Sequence, residues 1–226
     1  MINVDTIYQR VLALANKEQR GYVTPQEFNL LANQAQLDIF EQYFYDINQF
    51  AAIDDIGVEY SNAIESLKEK MSIFETFGGV GTNGALPNDL YKLGTVIYGD
   101  NEVEQIEQKK FLYINSSPLT RSTDSRPIYT RNGNIITTYG DGGNQITAGI
   151  TCNYIKQPNN VEWGYHVIAQ KALYNHSKSI HFELHSSEEV KLVLKILELA
   201  GIVINKPGLI SVASQKEALK TQQEKS

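Results

Sequence analysis

Hydrophobic periodicity changes twice along this 226-residue chain, from helical to strand-like and back, and that order limits it to a mixed architecture. Apolar Val4, Ile7, Tyr8, Val11, Leu12, Leu14 and Ala15 recur at helical spacing behind Asn3, whose side-chain oxygen suits an N-cap, and the pattern stops before Gly21. Thr24-Pro25-Gln26-Glu27 then combines a capping hydroxyl, a proline at the first helical position and a Glu three residues after the cap. This predicts a second helix, running to about Tyr45. Phe28, Leu31, Ala32, Ala35 and Ile39 form one stripe on it, and Leu30, Leu37, Phe40 and Phe44 form a second. Two stripes are more than a helix at the edge of a monomer requires, so contacts on two sides are expected. A third helical pattern, Tyr60, Ile64, Leu67 and Met71, follows the acidic break at Asp54-Asp55.

From about Ile73 the period shortens. Glycines 78, 79, 81 and 84, then Pro87 and Asn88, mark an irregular connection, after which Leu90 to Tyr98 has the β-branched and aromatic content of a strand. Pro127 to Arg131, Asn132-Gly133 and Asn134 to Tyr139 read as a β-hairpin, because Asn-Gly can adopt the positive φ angles of a tight turn. Gly140-Asp141-Gly142-Gly143 supplies another turn, and Ile146 to Ile155 another strand. Trp163, Tyr165 and Val167 alternate, which favours strand over Val161 to Tyr174.

Helical structure returns at Ser186, three residues before Glu189 in a second capping-box pattern. The helix that follows confines Glu188, Lys191, Lys195 and Glu198 to one narrow stripe. Val190, Leu192, Val193, Leu194, Ile196, Leu197, Leu199 and Ala200 surround the rest, and Gly201 ends it. So wide an apolar arc predicts deep burial, either within the subunit or between subunits, with Leu194 and Leu197 intolerant of a charge for folding or assembly. Leu209 to Lys220 is weakly amphipathic. The fold class expected is α+β. Residues 1–72 and 186–226 form a helical bundle, and residues 73–185 form a central antiparallel β-rich insertion.

Composition narrows the chemistry. With 20 Lys and Arg against 26 Asp and Glu, the net charge of −6 disfavours general binding to nucleic acid, which depends on clustered cations. Lys109-Lys110-Phe111 and Arg121, Arg126 and Arg131 offer only scattered positive charge. The longest apolar runs, Leu192 to Leu199 and Leu199 to Ile204, fall short of the roughly 20 residues of a membrane span. The opening Met1-Ile2-Asn3-Val4-Asp5 lacks the features of a signal peptide. The single Cys152 excludes an internal disulfide framework and reads as a small buried hydrophobe. The stretch Phe77 to Gly84 lacks the Gly-Lys-Ser/Thr of a phosphate loop. His176, His181 and His185 straddle a turn and a strand end, and no metal or cofactor is expected. No nucleophile motif appears, and Trp163 with the tyrosines suits core packing. The chain holds 18 Asn, 15 Gln and 13 Tyr. Such side chains suit surfaces that are wet when a chain is alone and buried when it assembles, though a bias in genome composition would give the same counts.

Two segments carry a resemblance. Ile2 to Tyr8 with Asn16 to Asn29 and Ala35 to Phe44, and Phe182 to Glu189 with Lys195-Ile196-Leu197 and Ala200-Gly201-Ile202, resemble virion structural proteins of tailed bacteriophages, including crAss-like phages. The likeness covers both ends well and the middle loosely. It implies a non-enzymatic head-to-tail adaptor, a neck ring commonly of twelve subunits. Such a ring sits beneath the portal, links it to the tail and leaves a channel for double-stranded DNA. The partners implied are further copies of the chain, the portal protein and other neck or tail rings. An acidic chain suits such a channel, because carboxylates repel phosphates, although −6 alone decides nothing. Candidate subunit or portal contacts are Leu194 and Leu197, and in the tail Leu209, Ile210, Val212, Gln215 and Leu219. Alternatives are another neck or tail ring, a minor head protein or, from another class, a tail-associated glycan-degrading enzyme with two carboxylates in an open cleft.

Overall fold

The computed structural model describes residues 1–17, 22–51 and 58–201. The architecture is mixed α and β, divided into two compact units: Met1–Ile73 with the chain from Pro158 onward, and Phe74–Gln157. The sequence assignment of residues 73–185 to one β-rich region is therefore corrected at its C-terminal side. The chain from Pro158 to His185 belongs with the helices because its backbone hydrogen-bonds to one of them.

In the helical unit, α1 spans Val4–Lys17 and α2 Pro25–Ala51. Asn3 Oδ1 accepts from the N–H groups of Asp5 (2.8 Å) and Thr6 (3.3 Å), as its sequence position implies. The capping box at α2 is also present. Thr24 donates its N–H (2.9 Å) and its hydroxyl (2.8 Å) to Glu27 Oε2, and Glu27 N–H donates to Thr24 Oγ1 (3.3 Å). α3 spans Val58–Ser72 and packs on α2. The last helix among the described residues of this unit, Glu189–Leu199, packs on α1 and α2, and its buried side is Leu192, Val193, Ile196 and Leu197. It is α5 in chain order. Tyr8, Phe28, Ile39, Phe40, Trp163, Phe182 and Leu184 fill the core of this unit.

The second unit holds a seven-stranded sheet of order β1-β7-β2-β3-β4-β5-β6. Its strands are β1 Glu75–Gly79, β2 Leu90–Tyr98, β3 Asn101–Gln105, β4 Ile128–Asn132, β5 Ile135–Tyr139, β6 Gln145–Ile146 and β7 Ile150–Lys156. The expectation of a wholly antiparallel sheet is corrected: β3 and β4 run parallel, with Glu104 opposite Ile128. Parallel neighbours need a crossover, and residues 106–127 supply one. They contain a helix hidden between strand-like segments, α4 (Gln108–Ser116), whose Phe111 ring lies 4.1 Å from that of Tyr139. Leu86, Val96, Val103, Tyr129, Ile136, Ile150, Cys152 and Tyr154 form the core of the sheet unit.

The β4–β5 hairpin is present, with its turn one residue later than Asn-Gly implies. Asn132 pairs with Ile135, so Gly133 and Asn134 are the central pair. Only Gly133 among them has a positive φ, +60°, which matches a turn with glycine first. Val161 to Tyr174 supplies a second hairpin, β8 Tyr165–Ile168 with β9 Lys171–Tyr174. The glycine-rich stretch serves the sheet. Gly84 sits at φ +76° with a would-be Cβ on the Ile136 carbonyl, and its own carbonyl accepts from Ile136 N–H at 2.9 Å.

What joins the Pro158–His185 chain to α2 is a row of side-chain amides. Asn33 Oδ1 accepts from Val161 N–H (2.7 Å), and its Nδ2 donates to the Val161 carbonyl (2.9 Å). Asn29 Oδ1 likewise accepts from Trp163 N–H (2.8 Å) and its Nδ2 lies 3.5 Å from the Trp163 carbonyl. Gln36 donates to the Asn159 carbonyl (2.8 Å) and accepts from Glu183 N–H (3.1 Å). Replacing Asn33 with Leu leaves two part-buried backbone groups unpaired, so a loss of about 2 kcal/mol or more is expected in chemical denaturation. A loss below about 0.5 kcal/mol would show that water replaces the amide there.

Candidate interaction surface

The sequence places its contact candidates on α5 and beyond. Of these, Leu197 is 1% exposed and belongs to the core, whereas Leu194 is 41% exposed. Leu209, Ile210, Val212, Gln215 and Leu219 lie outside the described residues. Val190 and Leu199 are exposed as well, so within its own chain α5 buries one side in the ordinary amphipathic way, and of the two kinds of burial expected only the one within the subunit is limited to that side. The second capping box is corrected. Ser186–Glu188 forms a single 3₁₀ turn before α5, and the ring of His185, not Ser186, accepts the Ser187 N–H (3.3 Å).

The charged stripe expected on α5 is partly structural. Glu188, itself buried, pairs with Lys70 of α3 at 2.6 Å, and Glu189 pairs with Arg10 of α1 at 2.9 Å. Adjacent carboxylates at the start of α5 thus face two different helices, and both sit where the helix dipole favours negative charge. Beside this pair, burial pushes the Tyr43 phenol well above its ordinary range, and the Glu188 charge adds to the rise. The Tyr43 hydroxyl is buried without a hydrogen-bond partner among the described residues.

Groups weighed for chemistry are occupied by packing. Trp163 is buried against Tyr8, ring centroids 4.4 Å apart, and its Nε1–H donates to Asp5 at 2.9 Å. Cys152 is buried in β7, and burial raises its thiol. His176 and His181 rings lie 5.9 Å apart, yet His181 Nδ1 accepts from Val4 N–H (3.3 Å) and His185 Nδ1 is engaged by Ser187. Among the described residues no three His, Cys, Asp or Glu side chains converge as metal ligands, and no helix is long and apolar enough to cross a membrane.

What stays open is apolar surface on two helices. On α2 the second stripe read from the sequence divides: Phe40 is buried, Leu37 and Phe44 are half-buried, and Leu30 is 74% exposed. Tyr45, 63% exposed, follows Phe44. Leu30, Leu37 and Phe44 recur every seventh residue, so they follow one line along the helix, with exposed Glu41 between them. The helix bears Glu27, Asp38, Glu41 and Asp46 and no Lys, Arg or His. On α4, Lys109, Leu112, Tyr113 and Ser116 fall at i, i+3, i+4 and i+7, and all are exposed, Leu112 by 74% and Tyr113 by 79%. This helix bears two lysines and no carboxylate. Sequence reasoning misses α4 as a surface; the signal available is the spacing of Lys109, Leu112 and Tyr113.

Compared with known proteins, the chain matches no protein-family model and no curated sequence.

Two outcomes test this placement. Leu197→Asp, which buries a charge, is expected to cost more than about 3 kcal/mol, while Leu194→Asp leaves thermal unfolding nearly unchanged. Equal losses from both would show that Leu194 is buried within the folded chain as Leu197 is. The second concerns pH. Hydrogen bonds from the Thr24 backbone and hydroxyl hold the Glu27 carboxyl below its ordinary range. A depressed carboxyl contributes stability that is present above its unfolded value, about 4.3, and is lost as pH falls through the folded one. An NMR titration should therefore give a Glu27 midpoint below the ordinary glutamate value, and Thr24→Ala, which removes the hydroxyl but keeps the backbone N–H, should bring it only part of the way back.

Proposed function

We propose that this chain is a non-enzymatic assembly protein of a tailed-phage virion, a head-to-tail adaptor that forms a ring beneath the portal and links it to the tail. The observation that carries this reading is the pair of distinct exposed apolar faces on α2 and α4. A closed ring built head to tail needs two different surfaces on each subunit, whereas a two-fold dimer needs only one. The sequence resemblance at both chain ends supplies the phage context and the twelve-fold expectation. On this reading the terminal helices form one bundle, to which the contacts of α5 with α1 and α2 lend support, and the sheet unit is an insertion into it.

Native mass spectrometry with particle imaging, on the chain alone and mixed with its cognate portal, tests this. A closed ring, or a monomer recruited to the portal in ring copy number, is the expected outcome. A monomer that ignores the portal overturns the adaptor reading, and a glycan-cleavage screen then becomes the next experiment.

A further inference from the structure

We infer that the α4 face of one copy docks on the outer stripe of α2 in the next copy, so that these two helices are the two halves of one heterologous contact. The inference rests on the self-assembly reading above and names the surfaces that would carry it. Three observations point to a second copy as the occupant. The charges are complementary: α2 carries four carboxylates and no cation, and α4 carries Lys109 and Lys110 and no carboxylate. Asp38 of α2 is already paired with Lys195 (3.5 Å), which leaves Glu41, without an ion pair among the described residues, at the centre of the stripe. On the other side Lys110 lies 3.7 Å from Glu107 in an exposed pair, and Lys109 has no ion pair among the described residues.

The two helical segments match in length. The nine residues of α4 and the nine from Leu37 to Tyr45 on α2 each rise about 12 Å from first to last, at ~1.5 Å per residue. Leu112 and Tyr113 laid on Leu37, Phe44 and Tyr45 would bring a lysine towards Glu41. Tyrosine and leucine in the middle with charge at the margin is the arrangement of a protein interface, where aromatic groups bind and ion pairs set the register. Finally, the two faces lie on different units of the chain, and neither is covered by its own unit. A contact between unlike faces passes from copy to copy and closes only as a ring.

Two surface variants separate this contact from its rivals. The full chain carrying Leu112→Asp and Tyr113→Asp keeps an intact α2 stripe, and the chain carrying Leu30→Asp and Tyr45→Asp keeps an intact α4 face. All four side chains are mostly exposed, so both variants should fold, as circular dichroism would verify. The readout is native mass, taken on whichever form the wild type assembles, in solution or on the portal. Each variant alone should lose self-association by about ten-fold or more. Mixed in equal amounts they should give a 1:1 dimer, because one functional contact remains between them and no further copy can add. Glu41→Lys should likewise weaken assembly, and Lys109→Glu with Lys110→Glu in the same chain should restore it.

A chain that assembles normally after the α4 substitutions overturns this contact while leaving the adaptor reading in place. So does a stripe variant that fails while the α4 variant does not, which would indicate α2 on α2. Loss of assembly on deleting residues 202–226, with the α4 variant unaffected, would seat the chain's own tail on α2 instead. A wild type that remains monomeric with and without the portal overturns both readings.

Discussion

The Pro158–His185 chain lies on α2 because three amides stand in for a strand. Asn29, Asn33 and Gln36 reach Trp163, Val161 and Asn159, every second residue of an extended segment that runs against the helix. Two strand residues advance about 6.7 Å, and four helix residues about 6.0 Å, so the step from Asn29 to Asn33 matches with little adjustment. The step from Asn33 to Gln36 is only three residues, about 4.5 Å, and there the longer glutamine side chain reaches further. Each primary amide offers the segment both an acceptor and a donor, as a residue of a neighbouring strand would. The backbone of a segment lying on a helix is thereby hydrogen-bonded, which an apolar helix face could not have done.

Much of the helical unit depends on that seam. With Val161 and Trp163 fixed, the indole fills the space beside Tyr8 and hydrogen-bonds Asp5 in the first turn of α1. Further along, the Glu183 carboxylate accepts from the Asn159 N–H (3.1 Å) and Nδ2 (2.8 Å), and Phe182 bridges Ile2 at the start of the chain. Irregular backbone is thus held by side-chain amides and a carboxylate at short range. α5 is then secured at its N-terminus by Lys70 and Arg10, one from each of two other helices. Losing one member of the Lys70–Glu188 pair strands a buried charge, so that pair constrains α3 relative to α5 more than it adds net stability.

How much of this could be read in advance follows from the range of each signal. Caps and turns are local, and Asn3, the Thr24–Glu27 box and the β4–β5 hairpin stand where short motifs place them. The hairpin turn moved by one residue because strand register, set across the sheet, decided which pair sat centrally. α4 was missed because its inward groups, Phe111 and Ile114, are few, and it lies between strands. Missing it hid the parallel pairing of β3 and β4. On α5 the composition did not say which apolar groups face the chain's own core, since Leu194 and Leu199 look no different from Leu192 and Leu197 until neighbours are known. The abundance of amides was visible, but composition left an assembly surface and a genome bias both open, whereas Asn29, Asn33 and Gln36 serve the chain's own backbone. Their spacing at i, i+4 and i+7 was the available clue.

That spacing also explains the unusual pattern of α2. A surface helix normally turns its apolar stripe inward and its polar groups outward. Here the inner side must carry three amides to satisfy the segment lying on it, interleaved with Phe28, Ala32, Ala35 and Ile39, while the outer side keeps Leu30, Leu37, Phe44 and Tyr45. Nothing within the helical unit requires leucine at position 30, since a polar side chain there would lose almost no burial. A 27-residue helix that mixes three amides into its apolar inner side and keeps apolar groups among the charges of its outer side has a second face left over once its own chain is seated. The acidic charge of the outer side then acts against pairing of two α2 stripes, because like charges brought together as they desolvate cost free energy. It favours instead a face of opposite sign, and the exposed face of α4 is one that this chain itself provides.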